Sequence, residues 1–134
     1  MPRRSDARKC VLQMLYVVDQ NPDVDIRWVR SNVEERLADD AVLIDFAWSM
    51  YTGVREQCAD IDKRITEVAT NWRIDRMAPT DRNVIRIGMF EMETIGTPAA
   101  VVLNECIELA REFGTEHSPS FVNGILDKFT SKTA

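Results

Sequence analysis

Residues Asn104–Lys128 read NECIELAREFGTEHSPSFVNGILDK, two amphipathic helices around a sharp break. Val102, Cys106, Leu109, Ala110 and Phe113 recur at helical spacing, and Gly114 is expected as the C′ stop. Ser118 and Pro119 then offer a cap and a first-turn proline. The helix they open carries an apolar stripe of Phe121, Val122, Ile125, Leu126 and Phe129. Packing accounts for those positions. It does not account for Asn104, Glu105, Ser118, the run Phe121-Val122-Asn123-Gly124 and Asp127 occurring together.

Helical periodicity continues outward from this stretch in both directions, and no segment alternates as a strand would. A first helix, with Ser5 as its expected cap, places Ala7, Cys10, Val11, Met14, Leu15 and Val18 on one side and ends at Asn21-Pro22-Asp23. A second runs from about Asp25 with Ile26, Val29, Val33 and Leu37, up to a boundary at Asp39-Asp40. From Leu43 a long stripe passes through Ala47, Met50, Val54, Cys58, Ile61, Ile65, Val68 and Trp72. Its length predicts two consecutive helices, with a break near Ala59-Asp60 and Asp60 as cap. Trp72 to Ala78 is a connection, and Pro79 opens a helix containing Val84, Ile85, Gly88, Met89 and Met92. Gly53, Gly88 and Gly124 interrupt helical patterns at about 1 kcal/mol each relative to alanine, which predicts close helix contacts there. The class is all-α, about seven helices.

At 134 residues, 45% hydrophobic and 29% charged, the chain fits one globular domain with a continuous core. No apolar run approaches the ~20 residues of a membrane span and no secretory signal is present, so a cytoplasmic protein is expected. Cys10, Cys58 and Cys106 are odd in number, widely spaced and embedded in apolar stripes, which argues against disulfides and zinc. The net charge of −5 conceals a polarity. Residues 1–9 set Arg3, Arg4, Arg8 and Lys9 against Asp6 alone, and residues 63–86 carry six basic groups against three acidic. Two positive zones thus stand in an acidic body, and local fields decide where a phosphate backbone settles. Enzyme chemistry finds little: His117 is the single histidine, no nucleophile pattern joins it to a cysteine, and no Gly-rich phosphate loop occurs. No cofactor or metal is expected.

The signature set, together with RRSDARKCVLQMLY at Arg3–Tyr16, resembles the NusB family of transcription antitermination factors. Gly53-Val54, Ile61-Asp62, Ile65, Trp72, Asp81-Arg82-Asn83-Val84-Ile85-Arg86, Glu91, Pro98 and Glu108-Leu109-Ala110 extend the resemblance over most of the chain. It implies two small helical bundles, of three and four helices, within a single domain spanning 1–134. A basic arm over 1–9 would lead into an N-terminal bundle over about 5–58, followed by a C-terminal bundle over about 60–131. It also implies a non-catalytic activity: binding boxA-type single-stranded RNA with NusE, a small-subunit ribosomal protein, to keep elongating polymerase from premature termination. The family arm is richer in arginine, whereas Ser5 and Asp6 interrupt it here, and His117 stands where acidic residues are usual.

The residues assigned to RNA are Arg3, Arg4, Arg8 and Lys9 for phosphates, with Gln13, Tyr16, His117 and Phe121 for base edges and stacking. Asp81, Arg82 and Glu91, with part of the Leu43–Val54 face, are assigned to the basic ribosomal partner. Asn104 and Glu105 are expected to be structural, a polar pair bonding the neighbouring loop. The NusB-like domain attached to some ribosomal RNA methyltransferases is a related reading, set aside because the sequence stops at Ala134 without a cofactor domain. A helical protein-binding scaffold or homodimer with little RNA affinity is the alternative of a different class, favoured by the interrupted arm and the acidity.

Overall fold

The computed structural model describes residues 1–133; Ala134, the last residue of the expected domain, lies outside them. Among the described residues the fold is all-α, in two bundles. The first comprises α1 (Arg4–Gln20), α2 (Ile26–Arg36) and α3 (Ala41–Glu56). The second comprises α4 (Cys58–Val68), α5 (Pro79–Phe90), α6 (Ala99–Phe113) and α7 (Ser118–Thr133). A 3₁₀ turn at Ile74–Arg76 precedes α5, and one π-helical turn, Glu91–Ile95, follows it. α1 packs against α3 on one side and α5 on the other, so it belongs to the seam between the bundles. Met14, Met50, Ile61, Ile65, Ile85, Met89 and Leu126 are fully buried, and a single apolar cluster runs through both bundles.

Side-chain caps set several boundaries where the sequence places them. Asp25 accepts the Arg27 N–H at 2.8 Å to open α2, and Asp40 accepts the Leu43 N–H at 3.1 Å to open α3. At α1 the expected cap is replaced. Arg3 is the cap residue and Asp6 Oδ2 accepts its backbone N–H at 2.7 Å, while the Ser5 hydroxyl donates to Glu105 of α6 at 3.0 Å. The α3–α4 break falls at Gln57, earlier than Ala59-Asp60, and Asp60 sits in the first turn of α4 without capping it. Trp72 leaves the core stripe altogether: α4 ends at Val68 and the indole is 59% exposed.

Close packing explains two of the three helical glycines. A Cβ on Gly53 would stand 2.1 Å from Phe90 Cζ, and one on Gly88 would meet Cys106 Sγ at 2.9 Å. Gly124 departs from that expectation, being exposed with nothing within 4 Å of an added Cβ. Gly114 does end α6, but in an extended conformation (φ −98°) with no left-handed turn. Its missing side chain makes room for Ser118, whose Oγ would lie 2.3 Å from a Cβ at that position. Ser118 in turn is the first residue of α7, and it accepts the Thr115 N–H at 2.9 Å, bracing the loop where a cap was expected.

Candidate nucleic-acid interface

The arm divides into exposed and buried cations. Arg3 and Arg4 are exposed, the former 3.6 Å from Asp6 and the latter with its guanidinium 4.7 Å from the Phe46 ring centroid. Lys9 is half-buried and reaches Glu112 Oε2 of α6 at 3.0 Å. Arg8, assigned to phosphates from the sequence, turns inward and is 3% exposed. Its Nε and Nη2 donate to the two carboxylate oxygens of Glu91 at 2.7 and 2.6 Å. Its Nη1 lies 3.7 Å from Glu105. Helix phase dictates this outcome, because position 8 shares a face with the buried Val11, Leu12 and Leu15. Burial opposes the charge on Arg8, but its bonds to Glu91 and the nearby charge of Glu105 outweigh that and raise its pKa above the ordinary value. The same environment pushes the Cys106 thiol up to about 12, first through burial and then through the Glu91 charge.

Farther along α1, Gln13 is half-buried and its amide oxygen accepts from Arg36 of α2. Tyr16 is 49% exposed and borders α5 and α6, so the pair faces different neighbours. His117 stands exposed in the α6–α7 loop, 3.4 Å from Glu116. Phe121, half-buried on the first turn of α7, meets Trp72 edge to face with centroids 5.2 Å apart. Trp72, which the periodicity assigned to the core, therefore reaches solvent beside Phe121, whereas Phe113 packs half-buried against the core as its stripe predicts. Trp72 could have been found from its place in the connection, after the stripe has ended.

The expected partner residues do not assemble into one patch. Asp81 and Arg82 lie half-buried in the first turn of α5, and Arg82 Nη1 donates to the Ile74 carbonyl at 3.4 Å. Asp81 Oδ1 and Arg82 Nε are buried without a bonding partner among the described residues. Glu91 is the correction: it is fully buried against Arg8, about 15 Å along the helix axis from Asp81. On α3, Leu43, Phe46, Met50 and Val54 are core residues, and Asp45 and Ser49 form the exposed edge. Glu105 is buttressed as a structural residue, but its partners lie on α1 and not in the neighbouring loop: it accepts from Ser5 and pairs with Arg8. No helix among the described residues is long and apolar enough to cross a membrane.

Fold and surface together define an all-α protein of two packed bundles, with basic side chains and Tyr16 along the first helix, His117 in the α6–α7 loop and Phe121 at the start of α7. The NusB family model matches residues 5–131, and the chain belongs to the NusB family. A transcription antitermination protein NusB from Anaeromyxobacter dehalogenans is 40% identical, over 96% of this chain and 91% of its own length. Its counterpart from Sorangium cellulosum is also 40% identical, with the same coverage. Among solved structures, NusB from T. maritima superposes with a TM-score of 0.87 at 30% identity, covering 98% of this chain and 92% of that one. A structure of antitermination factors NusB and NusE with double-stranded RNA shares the fold at a TM-score of 0.84 and 22% identity, covering 96% of each chain.

Proposed function

We propose that this chain is a non-catalytic transcription antitermination factor of the cytoplasm, binding boxA-type single-stranded RNA together with a NusE-like ribosomal protein. The observation that carries the reading is the edge of α1, where Arg3, Arg4 and Lys9 stay at the surface and lead along the helix to the exposed Tyr16 ring. Cations for a phosphate backbone beside aromatics for unstacked bases are what single-strand recognition requires. His117 in the α6–α7 loop and Phe121 on the first turn of α7 extend the same chemistry. Family membership and the naming of relatives at 40% identity support the antitermination role. For the protein partner, Asp81 and Arg82 remain the proposed contact, because both side chains are only half-buried on the first turn of α5, whereas Glu91 is inside. Glu91 and Arg8 serve as the internal fastening of the site.

Titration of a labelled boxA-like strand at several salt concentrations tests this. Arg4→Ala and Lys9→Ala should each weaken binding and reduce the salt slope by about 0.7, the loss of one phosphate contact on a single strand. Absence of binding both with and without a NusE-like protein would overturn the reading in favour of a protein-binding scaffold.

A further inference from the structure

Where α1, α5 and α6 meet, a slot of about 190 Å³ opens beside Tyr16, lined by Leu12, Tyr16, Thr80, Asn83 and Phe113. Leu12 forms an apolar floor, 4% exposed, while Tyr16 and Phe113 bring two aromatic rings to its rim. Its volume is below the range that takes drug-sized ligands, and suits a single flat heterocycle. Asn83, 1% exposed, is held in one orientation: its Oδ1 accepts from Arg86 at 3.0 Å and its Nδ2 donates to Asp19 at 2.9 Å. Arg86 is itself fixed by two bonds to Asp62, at 2.7 and 2.8 Å. Asn83 is thereby committed to its neighbours, and the Thr80 hydroxyl, half-buried and without a bonding partner among the described residues, is the group available to a polar edge entering the slot. The surroundings say what would enter. Lys9 stands one helical turn before Leu12, and its partner Glu112 directly precedes Phe113, so a cation sits at the approach.

We propose that this slot seats one unpaired nucleobase of the bound strand, stacked against Tyr16 and Phe113 while Lys9 meets its phosphate. Thr80 then acts as the edge reader, while Asn83, fixed by Asp19 and Arg86, shapes the closed end of the slot. The inference rests on the single-strand reading above and adds Leu12, Thr80, Asn83 and Phe113 to it. A fluorescent aminopurine placed at one position of a boxA-like strand at a time provides the test. One position should show stacking-induced quenching on binding. Phe113→Leu removes one of the two rings and should reduce that quenching and weaken affinity about fivefold or more, the scale of one lost stacking contact, with an unchanged salt slope. Thr80→Phe, which fills the slot from its α5 side, should do the same, and melting curves verify that both variants fold. If the strand binds but no position is quenched, or quenching is undiminished in both variants, the slot takes no base while the RNA reading stands. If no strand binds the unaltered protein, with or without a NusE-like partner, the RNA reading itself fails.

Discussion

A guanidinium in a protein interior is tolerable only while its hydrogen bonds are complete, and Arg8 meets that condition through both oxygens of Glu91. Arg8→Ala would leave Glu91 buried without its partner, and we expect a loss of about 3–5 kcal/mol in urea unfolding. Arg8→Lys should recover only part of that, since an ammonium cannot reproduce the two-pronged contact. Any weakening of RNA binding by Arg8→Ala should follow the loss of folded protein, with the salt slope of the folded fraction unchanged. A reduced slope in fully folded Arg8→Ala would return this residue to the phosphate contacts. The sequence held both readings of Arg8. Residue type and neighbours spoke for a basic arm, whereas its phase with Val11, Leu12 and Leu15 spoke for the interior. Phase is the stronger physical constraint, because a helix cannot rotate one residue out of its buried face. Glu91 carried a similar conflict. Nothing in its spacing announces a partner at a distance of 83 residues along the chain.

Helix identity was legible wherever a stripe and its caps agreed, as at Asp25 and Asp40. It was less so where two helices share one residue, because the apolar stripe runs unbroken across Gln57 and only the backbone records the turn. Helical glycines show the same limit. Their presence signals a reason, but sequence cannot distinguish a close approach from open solvent. Gly53 and Gly124 make the contrast measurable. Gly53→Ala drives a methyl group into the Phe90 ring and should destabilise by about 1–3 kcal/mol, as overpacked cores do. Gly124→Ala faces open space on an exposed helical position and should stabilise by about 0.5–1 kcal/mol through helix propensity. Thermal melts of the two variants should therefore move in opposite directions. A destabilised Gly124→Ala would mean that α7 is constrained at this point by something other than its own backbone.

For the molecule as a whole, one apolar cluster through both bundles makes the α1 edge a rigid platform, and its charge is the limiting quantity. The chain is net −5, yet its first turns carry exposed Arg3 and Arg4 and the half-buried Lys9, with Asp6 and Glu112 each already paired to one of them. Three phosphate contacts would give a single-strand salt slope of only about 2, which implies weak binding at physiological ionic strength. The acidic body contributes repulsion beyond the arm. A NusE-like ribosomal protein, being basic, would add positive surface beside that edge and lengthen the track open to the strand. We therefore expect the partner to raise RNA affinity well above that of this chain alone and to steepen the salt slope, because the added contacts are electrostatic. The two effects must come together. Higher affinity with an unchanged slope would mean that the partner orders the site without touching phosphate. Equal dissociation constants with and without partner, measured at one fixed salt concentration, would rule out cooperative assembly. Asp81→Ala and Arg82→Ala separate the steps further: if the partner docks on the first turn of α5, both should reduce its enhancement while leaving RNA binding by the chain alone unaltered.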